Sequence, residues 1–375
     1  MNAPIAFTYL TKMNDLNASD LYLTVGHAPV VRVDDELQDI GLEPLESEQI
    51  YEIIHSILTA KQRREFELNW ELNTSLDMGE HGRYRINIMK QRQCPGLVIR
   101  RIVSKIPAIK DLQLPVILEN LSLQKRGLIL LTGMTGSGKS TTLASMVNHR
   151  NERMTGHILT IEDPIEYYHN HIQSVVTQRE VGVDTESYNV ALKNSLRQRP
   201  DVILIGEIRD KEVMEQALMI AETGHLCLAT LHTNNAYQAI ERIVNFFPEE
   251  QHPQVRLNLS MNLKAIVSQR LLPSVEGGLV PALEVMINEA LVRELIVEGK
   301  YEKITDVMEQ NNRIGMQTFD QSLLALYIKG QITEETVINH SDKASDVKVK
   351  LQKIKMGEDA GGLQNMDTSL LSVSE

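Results

Sequence analysis

Disulfide chemistry is nearly absent from this chain: 375 residues carry two cysteines, Cys94 and Cys227, far apart and in no paired motif. That excludes a disulfide framework and a four-cysteine zinc site, and it suits a reducing compartment. Aromatic residues make up only 4% of the sequence, so the core must be mainly aliphatic. No apolar run approaches the roughly 18 residues that a membrane-spanning helix needs. The opening residues, MNAPIAFTYL, lack the basic and then apolar pattern of a secretory leader. Positive charge is also scarce, since 38 lysines and arginines stand against 50 acidic residues, a formal charge of -12. Bulk attraction to nucleic acid is therefore not expected. A cytoplasmic protein is expected, with docking on a membrane complex left open.

What is present is globular composition, 42% hydrophobic and 23% charged, in a chain long enough for two domains. Residues 18–103 read as mixed α and β. SDLYLTV and APVVRVDDEL read as strands, and HGRYRINIMKQR and GLVIRRIV as two more. Between them Ile50, Ile53, Ile54, Ile57 and Leu58 have helical spacing, with Ser47 as the expected N-cap. This predicts an α+β domain over 1–105. Pro107 and Pro115 bracket a stretch without periodicity, which predicts a linker over 106–116.

The pattern then changes. RGLILLTG, GHILTIED, DVILIGEI and HLCLATLH are short apolar runs that alternate with helical stretches. Repeated strand–helix units predict an α/β domain with an open, mostly parallel sheet, here over 117–343. Ligands of such sheets bind beyond the C-terminal strand ends, so the polar residues that follow each run are the candidate site. After about Pro248 the chain reads as mainly helical. Residues 344–375 begin as an amphipathic helix and end in a Gly-, Ser- and Asp-rich tail expected to be disordered.

Gly133 to Ser140 match G-x-x-x-x-G-K-[ST], between a buried-strand run and a helix. Glycines let the backbone approach a phosphate chain, and the N–H groups and helix N-terminus supply a positive field. Gly133, Thr135, Gly136, Ser137 and Gly138 would form the cradle. Lys139 would reach the outer phosphates, and Ser140, beside Thr141, would hold Mg²⁺. Hydrolysis further needs a metal partner and a group that positions or deprotonates water. Glu162, Asp163 and Glu166 form one acidic cluster, and Glu207 stands alone in DVILIGEIRD. The alternative for Glu162 and Asp163 is the capping of a following helix. The strand before Glu207 ends in Gly206 where an Asp is usual, and a glutamate one residue later can still reach a metal. His225 and His232 lie in ETGHLCLATLHTNNA, too few ligands for a metal site of their own.

These four elements, in this order, resemble the secretion-ATPase superfamily, the motors of type II secretion and type IV pili. The resemblance runs from ASDLYLTVGHAPVVRVDDEL to GMQTFDQSL. The cysteine count and short N-terminal part are similar to the retraction branch, PilT-like and PilU-like, and not to assembly motors with a tetracysteine insert. VTQREVGVDTESYNVALKNSLRQRPDVILIGE and the extended tail are most similar to the PilU-like members.

The resemblance implies a PAS-like N-terminal domain joined to a RecA-like P-loop ATPase core in a hexameric ring. It implies that Glu166 is the general base, Glu207 the Walker B glutamate beside Mg²⁺, and His225 and His232 a nucleotide-facing pair. It implies that Arg85 and Arg100 approach ATP at a subunit junction, with Arg83 and Arg101 close enough to confuse the assignment. ALVRELI, from Ala290 to Ile296, is similar to an element of the retraction branch, with Glu294 replacing its Asn.

The implied function is an ATP-driven motor for pilus retraction, docked at the inner-membrane base of the pilus. Its implied partners are its own copies, a sister PilT-like ATPase and a membrane platform protein, with no nucleic acid. The alternative is an accessory ring that supports the sister motor while its own turnover is secondary. A nucleic-acid translocase is disfavoured by the charge of -12.

Overall fold

The structure, a computed structural model, describes residues 6–33, 36–79, 82–102 and 105–356. The disorder expected for the end of the tail lies outside them. The chain forms two compact units. The first holds the described residues up to Lys105 together with Glu166–Tyr168, and the second holds Ile106–Ile165 and the chain from His169 onward.

In the first unit, α1 (Ala6–Asp15) leads into β1 (Asp20–Thr24), β2 (Val30–Val33) and β3 (Glu36–Asp39). Helices α2 (Ser47–Ile57) and α3 (Ala60–Asn69) follow, then β4 (Glu71–Asp77), β5 (Arg83–Gln91) and β6 (Cys94–Ile102). The strands make one antiparallel sheet in the order β3-β2-β1-β6-β5-β4. Arg92 and Gln93, both at positive φ, form the two-residue turn between β5 and β6, a geometry that matches strand twist. Alternation along β5 and β6 buries Tyr84, Ile86, Ile88, Leu97 and Ile99 with Leu10, Ile50, Ile53 and Ile54 of the helices. Arg83, Arg85 and Arg100 fall on the opposite face.

Two expectations are corrected here. The cap of α2 is Glu46, not Ser47: Gln49 Oε1 accepts the Glu46 N–H at 2.8 Å, the reciprocal spacing of a capping box. Strands β3 and β4 were also missed, because ELQD is exposed throughout and ELNTSLD is largely polar.

The second unit opens with α4 (Ile117–Ser122), β7 (Gly127–Thr132), α5 (Lys139–Arg153), β8 (Gly156–Glu162) and β9 (Ser174–Glu180). Then come α6 (Tyr188–Ser195), β10 (Val202–Ile205), α7 (Lys211–Glu222), β11 (Leu226–Leu231), α8 (Ala236–Asn245) and α9 (His252–Asn262). Strands β12 (Leu263–Pro273) and β13 (Leu279–Ile287) precede α10 (Ala290–Glu298), α11 (Ile304–Gln310), α12 (Phe319–Ile328), α13 (Glu334–His340) and α14 (Ala344–Lys355). The seven-stranded sheet has the order β13-β12-β7-β11-β10-β8-β9, with only β13 antiparallel. β7, β10 and β11 are buried along their whole length, as their apolar runs predicted.

The region after Pro248 is mainly helical as expected, α9 to α14, but it also holds two strands that were not expected. LKAIVSQRLLP and LVPALEVMI form a hairpin at the edge of the sheet, β12 lying parallel to β7. A short apolar run does not reveal by period whether it is strand or buried helix. Residues 106–116 are also no free linker. Ile109 and Leu114 are buried in this unit's core, and Ser145 Oγ donates to the Pro107 carbonyl at 2.7 Å. Helix α14 is the amphipathic helix expected at 344, with Val347 and Leu351 buried.

Candidate active site

Parallel pairing brings the C-terminal ends of β7, β8, β10 and β11 to one edge of the sheet: Thr132 is in register with Leu231, and Ile205 with Ile161. The residues that follow these ends, Gly133, Asp163, Gly206–Glu207 and His232, therefore gather although the first and last are 99 positions apart. Thus strand polarity places the site before any side chain is considered.

The phosphate loop joins β7 to α5. Gly133, Gly136 and Gly138 all have φ in the left-handed region. A Cβ on Gly133 would lie 2.4 Å from Ser137 Oγ and 2.5 Å from the Gln269 carbonyl oxygen. One on Gly138 would lie 2.7 Å from Gln269 Nε2. Gln269 also accepts from Thr142 Oγ1 at 2.7 Å, so β12 supplies the floor of the loop. Lys139 is 8% exposed, and its Nζ donates to the carbonyls of Gly133 and Met134 at 2.8 Å each. Ser137 Oγ is buried with no hydrogen-bond partner among the described residues, and a phosphate oxygen is the kind of acceptor it lacks. Thr135 and Gly136 are exposed, while Ser140 and Thr141 are half-buried. A cradle with no room for a Cβ at Gly133 or Gly138, with a buried ammonium and an unpartnered hydroxyl, fits a phosphate chain.

Beside the loop lies a charge cluster. His232 Nε2 is 3.1 Å from Glu207 Oε1, and Arg209 Nε is 2.7 Å from Glu207 Oε2. Arg209 Nη1 reaches Asp163 Oδ2 at 3.4 Å. The bond to Glu207 shifts the Arg209 guanidinium further toward its charged form. Burial, reinforced by the Asp163 charge, pushes the Tyr188 hydroxyl well up from its ordinary value. That hydroxyl explains the departure at Gly206: a Cβ there would be 2.7 Å from Tyr188 Oη and 3.2 Å from Glu162 Cα. Glycine is required because the neighbouring strand β8 and Tyr188 occupy the side-chain space. Arg242 Nη1 donates to the His232 carbonyl at 3.3 Å, and Thr230 Oγ1 donates to the Gly206 carbonyl at 2.5 Å.

Not every expected residue is brought here. The Glu162 carboxylate accepts from Thr160 Oγ1 at 2.6 Å and Gln178 Nε2 at 3.3 Å, so it turns back onto the sheet. His225 precedes β11 and pairs with Thr223 Oγ1 at 3.1 Å, whereas His232 follows the strand. Six strand residues separate the two, about 20 Å at ~3.3 Å per residue, so His225 does not line its own chain's phosphate loop. Glu166 is exposed and groups with the first unit. Arg85 and Arg100, also in the first unit, are register partners on the face opposite its core. Arg100 Nε is 2.8 Å from Asp20 Oδ1. Arg101 lies on the other face, its Nη2 2.6 Å from Asn17 Oδ1. In α10, Leu295 and Ile296 are core residues and Arg293 donates to the Asn288 carbonyl at 3.0 Å. Arg209, Gln269 and Tyr188 were missed. Only Arg209, two residues from Glu207, carried a local signal.

Two cavities flank the loop within the second unit. One of about 910 Å³ is lined by Gly133–Ser137, Arg270, Glu284 and Asp342. The other, about 640 Å³, is lined by Met134, Thr135, His232, Asn234 and Arg242.

A phosphate cradle on a parallel sheet, with a glutamate and a histidine paired at the adjacent strand ends, defines a P-loop ATPase. Residues 69–319, more than half of the chain, match the family described as type II/IV secretion system protein. The chain is 46% identical over 362 residues to the type IV pilus ATPase PilU of Pseudomonas aeruginosa, covering 96% of this chain and 94% of that one. It is 43% identical to the type IV pilus retraction ATPase PilT of the same organism, over 85% of this chain and 92% of that one. A crystal structure of the pilus retraction motor PilT with bound ADP superposes with a TM-score of 0.87 at 42% identity, covering 93% of this chain and all of that one. The chain belongs to the type II/IV secretion system protein family.

Proposed function

We propose that the chain is an ATP-hydrolysing motor that retracts type IV pili. The carrying observation is Glu207, held between His232 and Arg209 beside a phosphate loop whose lysine is already buried. ATP would seat its phosphates in Gly133–Thr141, with its outermost phosphate toward Lys139 and His232. Ser140 and Glu207 would hold Mg²⁺, which commonly takes one or two protein ligands and completes its shell with phosphate and water. Glu166 is the proposed base that activates water. Two relatives, a type IV pilus retraction ATPase and a twitching motility protein of Neisseria gonorrhoeae, support the retraction reading.

The proposed working form is a homohexameric ring, cytoplasmic and docked at the inner-membrane base of the pilus. A sister PilT-like ATPase and the membrane platform protein are its proposed partners. Arg85 and Arg100 would come from a neighbouring subunit and stabilise transition-state charge. The reading as a purely accessory ring is not favoured, since the relatives are named as ATPases in their own right. The test is ATP hydrolysis by the purified protein and by Glu166→Gln at several protein concentrations. The motor reading expects activity per subunit to rise with concentration, and the variant to bind ATP without turning it over. A parent that binds ATP but scarcely hydrolyses it would overturn the reading.

A further inference from the structure

Glu284 is the most deeply buried carboxyl near the site, 3% exposed, and no step above uses it. It sits on β13 in register with Ser268 of β12, which is in register with Thr132 at the end of β7. The three side chains form one row across the sheet. Thr132 Oγ1 donates to Ser268 Oγ at 2.9 Å, and Ser268 Oγ donates to Glu284 Oε1 at 3.3 Å. The same Oε1 accepts the Ala236 N–H at 2.7 Å. Thr132 is the residue before Gly133, and Ala236 is the first residue of α8, four residues beyond His232. The carboxyl thus lies at the positive end of α8 and at the root of the phosphate loop. Helix α8 holds the His232 segment from its far side, through Arg242.

We propose that Glu284 is a positioning residue for ATP turnover, tying the root of the phosphate loop to the head of α8 and so holding His232 against Glu207. The role rests on the ATPase reading above. A carboxyl here is unusual, because a charge buried this deeply is costly unless it is paired and hydrogen-bonded. An ionised carboxylate also bonds a helix N-terminus more strongly than a neutral acid does. Burial moves the group up to about 7, so its charge changes near neutral pH. The charged side chains that act on it are Asp342, which raises it further, and Arg270 of β12, which lowers it. Glu302, Asp306, His340 and Lys343 line the same cavity. Its hydrogen bonds toward β7 and α8, among the described residues, run to Thr132 by way of Ser268 and to the Ala236 backbone amide.

The experiment takes the full chain as parent, Glu284→Gln, Thr132→Val and the double variant. It reads kcat and KM for ATP from pH 5.5 to 8.5, and hydrogen exchange over 132–138 and 232–240. The parent's kcat is expected to rise through about pH 7. Glu284→Gln should match the parent at low pH and stay at that level, at least threefold below it at pH 8, with KM changed less than twofold. Glu284→Gln should also change exchange at pH 8 in both segments, and Thr132→Val should speed it at the head of α8. Persistence of the inflection in Glu284→Gln, or exchange changes confined to one segment, would overturn the proposal. If the parent itself does not hydrolyse ATP, the motor reading fails, and the exchange data alone still decide whether the tie exists.

Discussion

His232 Nε2 stands 3.1 Å from Glu207 Oε1, while the other oxygen of that carboxylate is engaged by Arg209 at 2.7 Å. Both oxygens of the glutamate are therefore oriented by partners from its own strand end and the neighbouring one. Preorganised charge of this kind, aimed where charge develops, is usually the largest contribution to catalysis. His232→Ala is expected to lower kcat by about 10²-fold, on the scale of one lost stabilising donor, with a smaller change in KM. Steady-state kinetics with ATP would check it, and an equal loss in KM alone would assign His232 to binding.

Gly206 is fixed by its surroundings, with Tyr188 Oη and the Glu162 backbone in the space of a side chain. Gly206→Ala is expected to destabilise the second unit by about 1–3 kcal/mol, the usual cost of overpacking. Adding Tyr188→Phe should recover part of this, because the hydroxyl is the nearest obstacle while the Glu162 and Ile161 backbone remains. Denaturant melts of the single and double variants measure the recovery.

Glu284 gives a pH dependence whose sign is determined. Its carboxyl titrates near 7 in the folded chain against an ordinary 4.5, mainly because of burial. The folded protein thus keeps a proton that the unfolded chain releases. The stability this group contributes is full below 4.5 and declines as pH rises to about 7. The decline is on the order of 3 kcal/mol. Glu284→Gln removes that slope, so its melting temperature should gain on the parent's between pH 5 and pH 7.5. Parallel curves would mean that the carboxyl titrates elsewhere.

The two arginines of the first unit call for different controls. Arg100 pairs with Asp20, whose side chain is only 5% exposed. Arg100→Ala leaves that carboxylate poorly paired and is expected to cost about 1–3 kcal/mol of stability. Asp20→Asn in the same chain should restore most of it. Arg85→Ala, on the solvent side of β5, should stay within about 0.5 kcal/mol of the parent. Loss of ATPase activity in Arg85→Ala at unchanged melting temperature would support a role at the nucleotide.

The sequence by itself determined the phosphate loop, because G-x-x-x-x-G-K-[ST] is contiguous and its neighbours, one apolar run and one helix, are local as well. It also determined the parallel core strands, buried on both faces and therefore written as unbroken apolar runs. Glu207 and His232 were legible as residues that follow such runs. Their pairing with each other was not. The tertiary structure decided which members of each motif meet. It separated His232 from His225 by the length of β11 and turned Glu162 back onto Thr160. It set β12 and β13 beside β7, and with them Gln269, Ser268 and Glu284, more than a hundred residues from the loop they support. Such contacts depend on strand order and register, which hydrophobic period along a single segment does not encode.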